Sequence, residues 1–315
     1  MAGARGALRA GLGASAWKCA LERLGPAVQD DYPPAQRVLG VLARVWSAHV
    51  EPASRPALSD LADALLTAAA GREDRLAARV LASAPATSDS RTPDPTLVRA
   101  MIARLAESPP WEADFGRVTM LSDRMRLIHA QRQLTSTECV YLTAKAEGRL
   151  QKSQVKSRDS ARAKVADDRS SMDVGLPRTS HDPAVFWTVS RLCALAGRSW
   201  SCAESLNIIR YRPGEKFVSH FDADHTNADQ IAQPGGLRRT TVLGYLCNGY
   251  QGGETAFPSL GVKIAPRAGD VIVFDNLDAE WRTEPASLHA GLPLIEGEKW
   301  ILAQWFRRFP FDRAG

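Results

Sequence analysis

The residues best suited to hold a metal are His220, Asp222 and His289, with Lys299 following them along the chain. In His220-Phe221-Asp222 the outer residues stand at i and i+2, a spacing that on a strand turns an imidazole and a carboxylate to one face. Alone the triplet says little, because a lone strand histidine is usually structural. A second imidazole, His289, falls in a later predicted strand. Two imidazoles and one carboxylate leave half of an octahedral sphere open, which is the donor set non-haem Fe(II) oxygenases use for a bidentate 2-oxo acid and dioxygen. Zinc accepts the same ligands. Lys299 separates the two chemistries: a zinc hydrolase needs no cation at that depth, whereas the distal carboxylate of 2-oxoglutarate must be neutralised in a site closed to water. A rival set of Asp222, Asp224 and His225 would cluster after one strand and leave His289 and Lys299 without a role.

These residues need strands to position them, and the pattern supplies strands. From residue 206 onward, short apolar runs separated by turn signals predict strands over 206–211, 216–221, 240–246, 254–257, 262–265, 270–274, 287–291 and 299–306. A set of that kind suits a sandwich or jelly roll. Upstream, Thr135 and Glu138 form a capping box that opens a helix with Cys139, Leu142, Ala146 and Leu150 on one face. A further helix is expected over 183–197, and a polar run over 151–173 lies between the two. Earlier still, apolar residues at helical spacing over 34–84 predict three short amphipathic helices, and another helix is expected over 96–105. The first three faintly resemble tetratricopeptide or Sel1-type helical repeats over 34–85. Residues 86–95 have linker composition, and 115–133 could join either part.

With 315 residues, 44% of them apolar, the chain can bury a substantial core, and no uninterrupted apolar run reaches the length of a membrane span. The formal net charge of +5 permits anionic partners without demanding one. Five cysteines, an odd number with no CxxC, read as a reducing compartment, so a cytoplasmic location is expected. The basic, Gly- and Ala-rich start has some transit-peptide character but reads better as a frayed N-terminus.

The motifs together resemble the prolyl 4-hydroxylase family of 2-oxoglutarate and Fe(II) dependent dioxygenases over about residues 134–309. The run from Tyr211 through Gly214 and Phe217 to His220 and Asp222 is similar to that family's first metal motif. Thr241-Val-Leu-Gly-Tyr-Leu246, Gly252-Gly-Glu-Thr-Ala-Phe-Pro258 and Gly269-Asp-Val-Ile-Val-Phe274 resemble its following strands. Ser287-Leu-His289-Ala-Gly-Leu-Pro293 with Lys299-Trp300 is similar to its second metal motif and cosubstrate lysine. Phe217 stands where many members have Tyr, and Asp275-Asn276 where an aromatic residue is common.

The resemblance implies an α+β fold: a double-stranded β-helix (jelly roll) catalytic domain with flanking helices, preceded by a small all-α domain. The expected division is a poorly structured 1–33, a helical 34–110 and an oxygenase domain over 111–315. It implies that His220, Asp222 and His289 bind Fe(II), that Lys299 pairs with the distal carboxylate of 2-oxoglutarate, and that Tyr211 is a further hydrogen-bond donor to cosubstrate or substrate. Dioxygen and L-ascorbate complete the cofactor set, and the substrate is expected to be a prolyl or similar residue of a peptide or protein. The run 153–168 occupies the place of a substrate-covering loop, with Arg169 as the candidate substrate contact. The loop 226–237 is expected to form a flexible rim, Arg238 and Arg239 to be surface charges, and the tryptophans to be mostly core. A same-fold oxygenase acting on methylated nucleic acid or a free amino acid is one alternative, though nucleic acid is not the expected partner. The other is an inactive binding module, which the intact triad and Lys299 argue against. Neither a membrane partner nor an oligomeric state is implied.

Overall fold

The computed structural model describes residues 12–84, 92–107, 116–153, 170–177 and 182–311. The chain divides into two compact units that interleave in sequence. One comprises Met1–Asp114, Thr135–Lys145 and Thr179–Trp200, and the other Phe115–Leu134, Ala146–Arg178 and Ser201–Gly315. The stretches around the capping box and the 183–197 helix therefore group with the N-terminal helices rather than with the strands.

The first unit is helical: α1 (Leu12–Gln29), α2 (Pro33–Ser47), α3 (Arg55–Ala70), α4 (Arg75–Leu81), α5 (Pro95–Glu107), α6 (Ser136–Ala146) and α7 (Pro183–Ala196). The poorly structured start expected over 1–33 is corrected over Leu12–Gln29 by α1; residues 1–11 lie outside the described residues. Its Gly and Ala dilute the apolar pattern in sequence, yet Trp17, Leu21, Leu24 and Val28 still fall on one buried face. Trp17 stacks on Phe186 with ring centroids 5.6 Å apart, and its indole donates to Leu105 O (2.9 Å). Within the α2–α4 group, Arg44 donates to Asp63 from Nη2 (2.5 Å) and to Val80 O (2.8 Å), so one buried guanidinium serves three helices. The capping box forms as expected: Glu138 N donates to Thr135 Oγ1 (3.2 Å) and Thr135 N to Glu138 Oε2 (2.8 Å). Glu138 also accepts from Thr188 Oγ1 (3.0 Å), which ties α6 to α7.

The second unit holds the strands, all paired antiparallel. Its larger sheet runs, in spatial order, β1 (Val118–Met120), β2 (Leu127–Ala130), β11 (Val271–Asp275), β7 (Arg238–Tyr245), β14 (Lys299–Arg307), β5 (Leu206–Tyr211), β4 (Met172–Leu176) and β3 (Gln151–Lys152). The smaller sheet runs β10 (Val262–Ile264), β9 (Thr255–Phe257), β12 (His289–Gly291) and β6 (Phe217–His220). A short pair joins β8 (Gln251–Gly252) to β13 (Leu294–Glu296), and α8 (Ala228–Ile231) lies in the loop after β6. The two principal sheets are those of a jelly roll. Residues 115–133, ambiguous in sequence, belong here through β1 and β2.

β14 is buried along its whole length because it lies between β7 and β5 in the middle of the larger sheet. Strand alternation sends Lys299, Ile301, Ala303 and Trp305 to one face, where the last three join Ile209, Leu243, Tyr245 and Phe274 in the core. Register then fixes who meets whom: Lys299 opposite Tyr211, Ile301 opposite Ile209 and Tyr245, and Trp305 opposite Thr241. The turn into β11 depends on Gly269, whose φ is +90° and whose added Cβ would lie 2.5 Å from Leu134 O. Gly269→Ala is therefore expected to destabilise the fold by more than about 1 kcal/mol in urea denaturation, and an unchanged midpoint would contradict this reading of the turn.

Candidate active site

The smaller sheet supplies both imidazoles directly opposite one another, since His289 of β12 pairs with His220 of β6. Asp222 lies just past the end of β6. The ligand atoms of His220, Asp222 and His289 all fall within 4.8 Å of one another. His220 Nε2 is 3.7 Å from Asp222 Oδ1, and His289 Nε2 is 3.8 Å from Asp222 Oδ2. Each ring is held from behind: His220 Nδ1 donates to Val218 O and His289 Nδ1 to Ser287 O, both at 2.9 Å. A proton committed to Nδ1 leaves the Nε2 lone pair as the donor facing Asp222. Phe217 stacks on His220 with centroids 3.6 Å apart and fixes that ring's plane. The aromatic packing explains how Phe serves at a position where a phenol is common elsewhere.

Asp222 carries the electrostatics of the site. Its side chain is 6% exposed, and burial works against its ionisation, but His220, then His289, then the Arg238 guanidinium outweigh burial and hold its carboxyl well below the usual range. Burial together with the neighbouring His220 pushes His289 down to about 4, with Asp222 opposing, so the imidazole is neutral near pH 7. A carboxylate and two imidazoles whose Nδ1 atoms are engaged, leaving Nε2 free, fit a divalent ion such as Fe(II).

Across the same cavity, which opens partly to solvent, stands Lys299. It is 3% exposed and donates to Gly253 O (2.5 Å), and no carboxylate of the described residues forms an ion pair with it. Its ammonium lies 5.4 Å from the ring centres of both Tyr211 and Tyr245. Burial pushes Lys299 down to about 8, against weaker support from Cys247 and Glu254. A buried cation with no ion-pair partner among the described residues, facing a cavity that also holds three metal donors, fits a small dianion that chelates at one end. Tyr211 is buried on the same face beside it. Ile209, Leu243, Ile301 and Ala303 form an apolar wall of the cavity.

Four residues at the site were not singled out for it in sequence. Thr241 Oγ1 (2.6 Å) and Trp305 Nε1 (3.0 Å) both donate to Asp222 Oδ2, and Asn276 Nδ2 donates to Thr241 Oγ1 (2.8 Å). Arg238, expected to be a surface charge, is instead only 27% exposed. It donates to both oxygens of Glu204 (2.8 and 2.9 Å), lies 3.9 Å from the Trp305 ring centre and reaches within 3.9 Å of Asp222 Oδ1. Strand parity could have found Trp305, which shares a face with Lys299; only register finds Thr241. Arg239, by contrast, lies over Trp281, 4.6 Å from its ring centre. His225 is exposed and bonded to Thr283 Oγ1 (2.8 Å), apart from the triad. Residues 154–169, and Arg169 with them, lie outside the described residues.

Residues 206–307 match the family described as the 2OG-Fe(II) oxygenase superfamily. Among curated proteins, prolyl 4-hydroxylase 2 of Arabidopsis thaliana is 32% identical, over 66% of this chain and 76% of its own length. Probable prolyl 4-hydroxylase 4 of the same plant is 30% identical, over 63% of this chain and 72% of its own. Among solved structures, the viral collagen prolyl hydroxylase of Paramecium bursaria Chlorella virus-1, in its 2OG complex, is 26% identical, with a TM-score of 0.46 over 57% of this chain and 95% of that one.

Mn(II), a redox-quiet stand-in for Fe(II), is expected to raise the thermal midpoint of the wild-type protein by several degrees at about 100 times its dissociation constant, equivalent to about 2.7 kcal/mol. The midpoint of His289→Ala should stay unmoved. Equal shifts in the two proteins would show that the ion binds elsewhere.

Proposed function

Since the chain belongs to the prolyl 4-hydroxylase family of 2-oxoglutarate and Fe(II) dependent oxygenases, we propose that it hydroxylates a prolyl residue of a peptide or protein. The chain is a 2-oxoglutarate-dependent dioxygenase of the jelly-roll class; its cofactors are Fe(II), 2-oxoglutarate and dioxygen, with ascorbate typical of the family. The overall reaction balances as 2-oxoglutarate plus dioxygen plus a C–H bond giving succinate, carbon dioxide and C–OH, with one oxygen atom in succinate and one in the hydroxyl. We assign His220, Asp222 and His289 as the metal ligands, Lys299 as the partner of the distal carboxylate, and Tyr211 as a further donor beside it. Fe(II) held there supplies the activation of dioxygen that side chains lack. The observation that carries the reading is the pairing, within one cavity, of three convergent donors with a buried ammonium that forms no ion pair among the described residues.

The roles of the chain's own groups follow from physical chemistry. The carbonyls of Val218 and Ser287 hold the Nδ1 protons and thereby aim Nε2. Lys299 neutralises and orients the cosubstrate, and the apolar wall excludes water that would compete for the open positions. Arg169 is proposed, from its place in the sequence alone, as a substrate contact. The helical unit and the strand unit are proposed as distinct domains, the first preceding the oxygenase and contributing helices that interrupt it in sequence. No helix among the described residues is long and apolar enough to cross a membrane. We propose a cytoplasmic location on the strength of the odd cysteine count.

Incubated with Fe(II), 2-oxoglutarate, ascorbate and proline-containing peptides, the protein is expected to release succinate and add one oxygen mass at proline, and His289→Ala to do neither. Oxygen added only to nucleic acid or to a free amino acid would contradict the assigned substrate class. A second expectation comes from the lysine. Its protonated form is the one that binds a carboxylate, so the apparent KM for 2-oxoglutarate should rise as pH passes upward through about 8. A KM flat from pH 7 to well above 8 would remove Lys299 from that role.

A further inference from the structure

Asp222 Oδ2 accepts two hydrogen bonds, one from Thr241 and one from Trp305, with His289 Nε2 at 3.8 Å, whereas among the described residues Oδ1 has His220 Nε2 at 3.7 Å and Arg238 Nη1 at 3.9 Å beside it, both beyond hydrogen-bond distance. Thr241 and Trp305 are direct cross-strand partners in β7 and β14, so the larger sheet presents both donors as a fixed pair. Behind Thr241 stands Asn276, the residue after β11, fully buried, its backbone pinned by Asn276 N to Arg239 O (2.8 Å) and by Glu284 N to Asn276 O (2.9 Å). The polarity of this chain is forced. A carboxylate can only accept, so Thr241 donates its one proton to Asp222, and the oxygen of that hydroxyl is left to accept from the Asn276 amide nitrogen. The side-chain Oδ1 of Asn276 is buried with no hydrogen-bond partner among the described residues. Burying an amide with one end unpaired is unfavourable, and a role for its N–H₂ gives it a reason.

Resting on the metal assignment proposed above, we infer that Asn276 is a positioning residue for the metal centre. It acts through Thr241: by filling the acceptor side of that hydroxyl it commits the proton to Asp222 Oδ2. Together with Trp305 this holds the carboxylate's rotation and reserves Oδ1 for the ion. Asn276 itself does not touch the carboxylate. Thr241 and Trp305 make the contacts.

The inference is tested by a double-mutant cycle read as the Mn(II) dissociation constant, measured on the full chain by the electron paramagnetic resonance of free Mn(II). Thr241→Val, which keeps the shape and removes the hydroxyl, is expected to weaken binding by about 10- to 100-fold, the range for lost outer-shell partners. Thr241→Ser should bind within about twofold of wild type, the usual margin of such comparisons. Asn276→Ala is expected to weaken binding several-fold, while Thr241→Val/Asn276→Ala should be no weaker than Thr241→Val, because a relay acting through one hydroxyl has nothing left to lose. Multiplying losses would mean that Asn276 acts independently of Thr241 and would overturn the relay. So would wild-type affinity in Thr241→Val, or a Thr241→Ser as weak as the valine variant. If Thr241→Val does not fold, Thr241→Ala takes its place in the cycle, and wild-type affinity in Asn276→Ala alone is already contrary. His289→Ala serves as the control that separates the two claims. Undiminished Mn(II) binding there sinks the metal assignment, whereas lost binding there with an intact Asn276→Ala sinks only the relay.

Discussion

A carboxylate almost wholly removed from water must be kept charged and kept still if it is to serve as a metal ligand, and much of the strand unit bears on that requirement at Asp222. Burial alone would drive it toward the neutral acid. Two imidazoles from the smaller sheet and a guanidinium from the larger one reverse that tendency, while a hydroxyl and an indole from adjacent strands take up one of its oxygens. Neither sheet could do this alone. The smaller brings the nitrogen donors together by pairing His289 with His220; the larger supplies the hydrogen bonds. The jelly roll matters here because it closes the two faces over one point.

The same logic places Lys299, the proposed partner of the cosubstrate. β14 runs through the middle of the larger sheet, and its alternation sets Lys299 and Trp305 on one face, the first toward a buried cavity wall, the second toward Asp222. A one-residue slip of register would turn both away together. Under the proposed assignment, that coupling ties a charge for a dianion to a ligand for an ion through a single strand. Arg238, stacked on Trp305 and bonded to Glu204, adds a positive charge near Asp222 that is itself compensated, so the site gains a field without gaining an unpaired buried charge.

Much of this could be read from residues in order. Strand periodicity located the segments carrying His220, His289 and Lys299, because alternation is local, and the Thr135–Glu138 capping box formed as its spacing implied. What escaped was whatever depends on register between distant strands. Thr241 gives no sign in sequence that it faces Asp222, and Asn276 stood out only as a residue replacing an aromatic. Arg238 shows its charge but not its burial, so surface was the natural expectation. Trp17 heads a docked helix that a Gly- and Ala-rich composition disguised as a loose end. Helix α6 showed an amphipathic face and α7 its bounds, but which neighbours they pack against is a property of the folded chain.

The central claim is that two sheets aim three side chains at one divalent ion, with Asp222 bound through the oxygen its hydrogen bonds leave open. Anomalous diffraction from crystals of the protein grown with Mn(II) tests it most directly. The expected result is a single strong peak bonded to His220 Nε2, His289 Nε2 and Asp222 Oδ1. A peak held by other residues, or one bound by both Asp222 oxygens with the Thr241 and Trp305 contacts broken, would contradict it.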